Sequence, residues 1–153
     1  MFVGRRKGAM EVYQLTPWDE LDMVLRLVMA ALAGGIVGYE RERAEKPAGF
    51  RTHLLVCVGA ALFTIASLYG FGSESDAARV AAGVVVGIGF LGAGTILRGE
   101  GVVVGLTTAA TIWAVAAIGL TLGAGLYIVA AVTTVIVFLA LRFPLLPRHE
   151  GWR

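Results

Sequence analysis

Gly87, Gly89 and Gly92 form a literal G-x-G-x-x-G behind three valines, Val84 to Val86. After a strand, and opening a helix, that spacing cradles the pyrophosphate of a dinucleotide on a helix N-terminus. The surrounding residues do not support that use. Only Ala93 to Leu97 follow before Arg98-Gly99-Glu100-Gly101 breaks the segment, so there is no phosphate-binding helix and no acid at the expected distance. Other reactive side chains are sparse. Ser67 and Cys57 lack an activating base nearby in sequence, Cys57 is the single cysteine, and His149 lies near the end. No metal-ligand spacing occurs, and no carboxylate falls in the middle of an apolar segment, where a bound Mg²⁺ would want one. Enzyme activity, a cofactor and a resident metal are therefore not expected.

The remaining polar groups form pairs. Asp22 and Arg26 are four apart and meet on one helix face. Arg26 lies near enough to the start of its segment to snorkel to the surface; an inward-facing functional arginine is the alternative. Glu40 and Arg43 are three apart and pair if the first helix continues beyond the membrane. The stretch from Glu40 to Arg51 reads as a solvated, positively charged loop, or as a docking surface for anionic lipid or a protein. Arg51, Thr52 and His53 enter the second helix. The helix dipole disfavours a cation there, so Arg51 needs Glu40, Glu42 or a phosphate. His53 reads as a packed histidine. Asp76 and Arg79 open the third helix as a pair. Thr95, Thr107 and Thr108 bond backbone carbonyls or cross-link helices. If the chain carries ions, they line the path, with Asp76 or Glu40 at its mouths. Trp113 sits in the bundle or at its edge.

The elements that hold these residues are set by composition. The chain is 58% hydrophobic and 16% charged, against roughly 45–50% and 25% for soluble domains. Leu27–Tyr39, Thr52–Ser73, Val80–Leu97 and Gly101–Leu141 carry no Asp, Glu, Lys or Arg. The bilayer is the solvent that such segments fit. The expectation is an all-α, polytopic transmembrane helix bundle of about five spans. Residues 1–20 form an N-terminal segment, 21–141 the transmembrane domain and 142–153 a short cytoplasmic tail. The helices are expected at about 21–39, 52–69, 77–97, 106–122 and 126–141. Thr16, Pro17 and Asp19 make an N-terminal capping signal, and Ser73 or Ser75 caps helix three. Gly123-Ala124-Gly125 is a tight break before helix five. Residues 1–20 do not read as a signal peptide, and Met10 is an alternative start.

With five spans, eight Lys and Arg residues fall on the side of the loop 40–51, Arg98 and the tail. The positive-inside rule then places the N-terminus outside and the C-terminus in the cytoplasm. Four spans with helices four and five as a re-entrant pair is the weaker alternative. A net charge of +2, with basic residues at segment ends, excludes nucleic acid as a partner. The lipid bilayer, a membrane protein partner and a homo-oligomer are the expected contacts.

The 21 glycines suit closely packed transmembrane helices. Gly83, Gly87 and Gly94 fall within about 40° on a helix, with Gly89 and Gly92 opposite. Helix three is therefore expected to be central, packed against Gly34 and Gly38 of helix one and Ala110, Ala114 and Ala117 of helix four. A bulky residue at Gly87 should then break folding. The alternative is a locally unwound helix three that offers carbonyls to an ion.

Three blocks, "GGIVGYERERAEKPAGFRTH" from Gly34, "ARVAAGVVVGIGFLGAGTIL" from Ala78 and "GLTTAATIWAVAAIGL" from Gly105, resemble the MgtC/SapB family of bacterial membrane proteins. The family pattern falls on Glu40, Arg41, Lys46, Gly49, Arg51 and Thr52, on Arg79, Gly87, Gly89, Gly92 and Gly94, and on Thr107, Thr108 and Trp113. The resemblance implies a multi-pass inner-membrane protein linked to adaptation to low magnesium and to survival in macrophages. Some members are thought to inhibit the membrane ATP synthase rather than carry magnesium. Many carry a soluble domain after the last helix, where only Arg142–Arg153 follow here. The expected function is non-enzymatic, in magnesium or stress homeostasis, by contact with another membrane complex such as the ATP synthase. The alternative is a transporter or channel for Mg²⁺ or another small ion.

Overall fold

The computed structural model describes residues 15–70, 77–99 and 102–143. Among these are five helices, α1 (Pro17–Arg43), α2 (Phe50–Tyr69), α3 (Ala77–Ala93), α4 (Leu106–Gly123) and α5 (Tyr127–Arg142), and one hairpin, β1 (Leu97–Gly99) with β2 (Val102–Val104). The all-α class is as expected.

α1 begins where the capping signal places it. Thr16 accepts from the Asp19 amide, and the Asp19 carboxylate accepts from the Thr16 amide at 2.9 Å. The helix runs four residues beyond the expected Tyr39. It stops in a Schellman turn: the Glu45 amide bonds Glu42 O and the Lys46 amide bonds Arg41 O. Glu45 takes φ 54° there, the left-handed conformation that normally selects glycine. α4 ends the same way with a glycine in place. Gly125 has φ 78°, its amide bonds Leu122 O and the Leu126 amide bonds Thr121 O.

α2 starts at Phe50, two residues before the expected Thr52. Its first amide is capped from outside, by the Glu42 carboxylate of α1 at 2.8 Å from Phe50 N. α3 ends at Ala93 rather than Leu97, because Gly94 and Thr95 turn the chain into the hairpin. That hairpin pairs Leu97 with Val104, Arg98 with Val103 and Gly99 with Val102. At three residues per strand, it is too short for an alternating pattern to reveal. Gly105 leads into α4 at φ 90°, where a Cβ would collide with the Thr95 carbonyl.

α4 and α2 form the centre: α4 touches all four other helices, and α2 touches α1, α4 and α3. α3 lies against α4 and α2, and α5 against α4 and α1. This differs from the expectation of a central helix three. The short connection 44–49 makes α1 and α2 antiparallel neighbours, so Gly34 and Gly38 face α2. A Cβ at Gly34 would lie 2.6 Å from His53 O, and one at Gly38 would lie 2.8 Å from Phe50 Cα. α4 approaches α2 through Gly119, against the Cys57 carbonyl, and Gly123, where a Cβ would lie 2.6 Å from Ala61 O. A Cβ at Gly83, Gly87 or Gly89 would meet nothing within 4 Å. Glycine spacing reports a small face; it does not say which helix meets it. The core these contacts enclose is Ala30, Ala33, Val37, Cys57, Ala61, Val115, Ile118, Leu122 and Ala130.

α1, α2 and α4 are each long and apolar enough to cross a membrane, while α3 and α5 are shorter apolar helices. Large apolar side chains cover the outside, among them Val86, Phe90 and Ile128. Water would not tolerate so continuous an apolar surface.

Candidate functional site: two polar clusters and an apolar groove

One polar cluster is built around Arg26. Its Nε donates to Asp22 Oδ2 at 2.7 Å and Nη2 lies 2.5 Å from the same oxygen. Nη1 donates to Gly123 O at 2.7 Å. The guanidinium also stands over the Tyr69 ring, 5.7 Å from its centroid, and the Tyr127 hydroxyl donates to Asp22 Oδ1. Ends of α2, α4 and α5 thus converge on one α1 arginine. The expected Asp22–Arg26 pair forms, but Arg26 does not snorkel: its side chain is only 11% exposed. Gly123 O, the last carbonyl of α4, is left over by the turn that caps Leu120, Thr121 and Leu122, and it lies at the negative end of the helix dipole. A cation reaching it is held inward. Gly125 makes room, since a Cβ there would lie 3.2 Å from Arg26 Nη2. Sequence spacing does not point to Tyr69, Gly123, Gly125 or Tyr127 as partners of Arg26. The available signal is topological, because antiparallel succession brings those helix ends together.

The second cluster lies where α1 passes to α2. Glu40 and Arg41 are both buried and pair at 2.7 Å. The expected Glu40–Arg43 pair is absent, and Arg43 is exposed. Buried Arg41 takes the carboxylate, because a buried charge must be paired while an exposed one is hydrated. His53 is fully buried, as a packed histidine should be. Its Nδ1 lies 2.9 Å from Gly49 O, and its Nε2 has no hydrogen-bond partner among the described residues. Arg51 and Thr52 are exposed. Neither carboxylate expected for Arg51 reaches it, since Glu40 holds Arg41 and Glu42 caps Phe50.

The other candidate residues are not gathered into one site. Arg79 is exposed, and its expected partner Asp76 lies outside the described residues, as do Ser73 and Ser75. Thr95 Oγ1 donates to Gly92 O at 2.8 Å, within its own turn. Thr107 is exposed and Thr108 buried, and Thr107 O accepts from Thr111 Oγ1 at 2.6 Å. Gly92 is buried, and a Cβ there would lie 3.5 Å from Ala109 O, whereas one at Gly94 would touch only its own turn. Trp113 is half exposed, at the bundle edge. Among the described residues no group of three or more His, Cys, Asp or Glu is placed to hold a metal ion.

Between α2 and α3 lies an apolar groove of about 610 Å³, with Gly59, Gly83 and Gly87 in its walls. The polar clusters therefore fasten α1, α2, α4 and α5, while α3 borders an open space. The MgtC family profile matches residues 27–146. The chain belongs to the MgtC family. Among its relatives, YhiD of Escherichia coli (strain K12), provisionally named a magnesium transporter, is 49% identical over 113 residues, covering 69% of this chain and 53% of YhiD. MgtC of Brucella abortus (strain 2308) is 50% identical over 111 residues, covering 72% of this chain and 46% of that protein. SrpB of Synechococcus elongatus is 41% identical over 145 residues, covering 86% and 80%. This MgtC-family chain thus spans about half the length of YhiD and most of SrpB. No solved structure matches it. Family membership and the apolar helices make it a membrane protein, and the MgtC profile takes in both the Glu40–His53 cluster and the groove.

Proposed function

We propose that this membrane protein is non-enzymatic and serves magnesium or stress homeostasis by contact with another membrane complex. The ATP synthase is the partner that the family resemblance brings forward. In this reading the protein lies in the bacterial inner membrane and all five described helices cross it, with the N-terminus outside and the C-terminus cytoplasmic. α3 and α5, at 17 and 16 residues, rise about 24–26 Å. They span the hydrocarbon core with help from flanking residues or local thinning.

The observation that carries the reading is the outward face of α3. Ala82, Val86, Gly89, Phe90 and Ala93 are all exposed and fall on one side of the helix. A Cβ at Gly89 would meet no atom of its own chain within 4 Å. A glycine inside a helix costs about 1 kcal/mol relative to alanine, and in a membrane it lets another helix come close. A partner helix would recover that cost. A photo-crosslinking residue at Phe90 should give a discrete protein adduct in intact membranes, and the same residue at Ile128 of α5 should not. Equal, diffuse products from both positions would remove the support for α3 as the contact face. An adduct of twice the chain mass would make the partner a second copy.

The provisional name of YhiD favours a second reading, transport of Mg²⁺ or another small ion. There Thr95, Thr107 and Thr108 line the path, Asp76 or Glu40 stands at its mouths, and Asp76→Asn abolishes flux. The geometry lends this less support. The Thr95 hydroxyl is engaged in its own turn and Glu40 holds Arg41. The groove is apolar, whereas Mg²⁺ gives up its water reluctantly and prefers oxygen ligands.

A further inference from the structure

The groove between α2 and α3 has a shape and a charged end. Leu55, Gly59 and Phe63 form one wall; Gly83, Gly87 and Leu91 belong to the other. Along α3 the lining runs from Val80 to Leu91, a rise of about 16 Å. The groove offers about 610 Å³ along that length and its lining is apolar, so in a bilayer it takes hydrocarbon rather than water.

Arg51 stands one turn before Leu55 on the same face of α2. It is exposed, and among the described residues it makes no ion pair or hydrogen bond. The dipole of α2 works against a cation at that position and favours an anion. Two nearby first-turn amides are already used, Phe50 N by Glu42 and His53 N by Gly49 O. Those of Arg51 and Thr52 point out of the helix start without an intrahelical acceptor.

We propose that the groove holds one acyl chain of an anionic phospholipid whose phosphate is met by Arg51 and Thr52. This goes beyond the contact function and uses a different face of α3. The test uses the full chain, purified and delipidated, then exposed to equimolar palmitoyl-oleoyl phosphatidylglycerol and the matching phosphatidylcholine. Retained lipid is counted by native mass spectrometry. One phosphatidylglycerol per chain should be held, with about fivefold preference over phosphatidylcholine. Arg51→Gln should remove the preference and keep retention of either lipid. Gly83→Leu with Gly87→Leu should fill the groove and abolish retention while helicity by circular dichroism is unchanged. The proposal is overturned if the unaltered chain holds both lipids equally, or if Arg51→Gln keeps the preference. It also fails if the leucine variant still holds lipid, or if the chain is a dimer that takes up none.

Discussion

Replacing Gly34 by alanine places a methyl group against the backbone of α2. Its carbon would lie 2.6 Å from His53 O, 2.7 Å from Cys57 Cβ and 3.0 Å from Leu54 Cα. Ordinary contacts begin near 3.5 Å, so α1 and α2 must part by several tenths of an ångström, and two of the three obstacles are backbone atoms that cannot rotate away. Overpacking of this kind costs about 1–3 kcal/mol. Against it stands a gain of about 0.5–1 kcal/mol from alanine's better helix propensity. The net expectation for Gly34→Ala is a loss of about 0.5–2 kcal/mol. Gly83→Ala is the matched control. It makes the same propensity gain, and nothing lies within 4 Å of its new methyl, so it should be neutral or stabilising. The assay is unfolding of the purified protein in mixed micelles with rising SDS, followed by circular dichroism. If Gly34→Ala is tolerated as well as Gly83→Ala, or if Gly83→Ala is the damaging one, α1 does not pack closely on α2 and the packing order is wrong.

Four further outcomes follow from the same geometry. Arg26→Met should lower stability by about 2–4 kcal/mol, because Gly123 O and Asp22 lose a shared partner and breaking such a pair leaves its remaining members unmet; the SDS midpoint reads this. Glu45→Gly should stabilise the protein by about 1 kcal/mol and raise that midpoint, since a side chain is removed from a left-handed position that costs an L-residue about 1–2 kcal/mol. Gly105→Ala should be among the most damaging single methyl additions, combining φ 90° with collision on the Thr95 carbonyl, and proteolysis near the hairpin should increase. Cys57 is fully buried, so it should resist maleimide in mild detergent and react after SDS unfolding; rapid labelling of the native protein would contradict the core.

Much of the fold is readable in the sequence. Charge-free segments mark the helices, Thr16 to Asp19 marks the start of α1, and Gly123-Ala124-Gly125 marks the break after α4, because each rests on local chemistry. The packing order is less legible. Gly83 and Gly87 look as suited to close packing as Gly34 and Gly38, and the connections 44–49 and 70–76 are of similar length, so nothing local distinguishes them. Glu40 has Arg41 and Arg43 as candidate partners, and burial of Arg41 decides between them. The inward turn of Arg26 depends on the carbonyl end of α4, 97 residues away, which no local pattern reveals. The candidate site is legible as a set of residues but not as an arrangement. Thr95, Thr107 and Trp113 are consistent with an ion path or a helix contact until their bonding and exposure are seen.

Whether the protein works by contact or by carrying ions is decided most directly by Mg²⁺ entry into liposomes. These hold the purified, demonstrably folded chain and a trapped fluorescent indicator, with empty liposomes alongside. A protein that acts by contact admits Mg²⁺ no faster than the empty liposomes do, and that is the expected result. Entry well above that control, abolished by Asp76→Asn, would contradict it and make the protein a transporter.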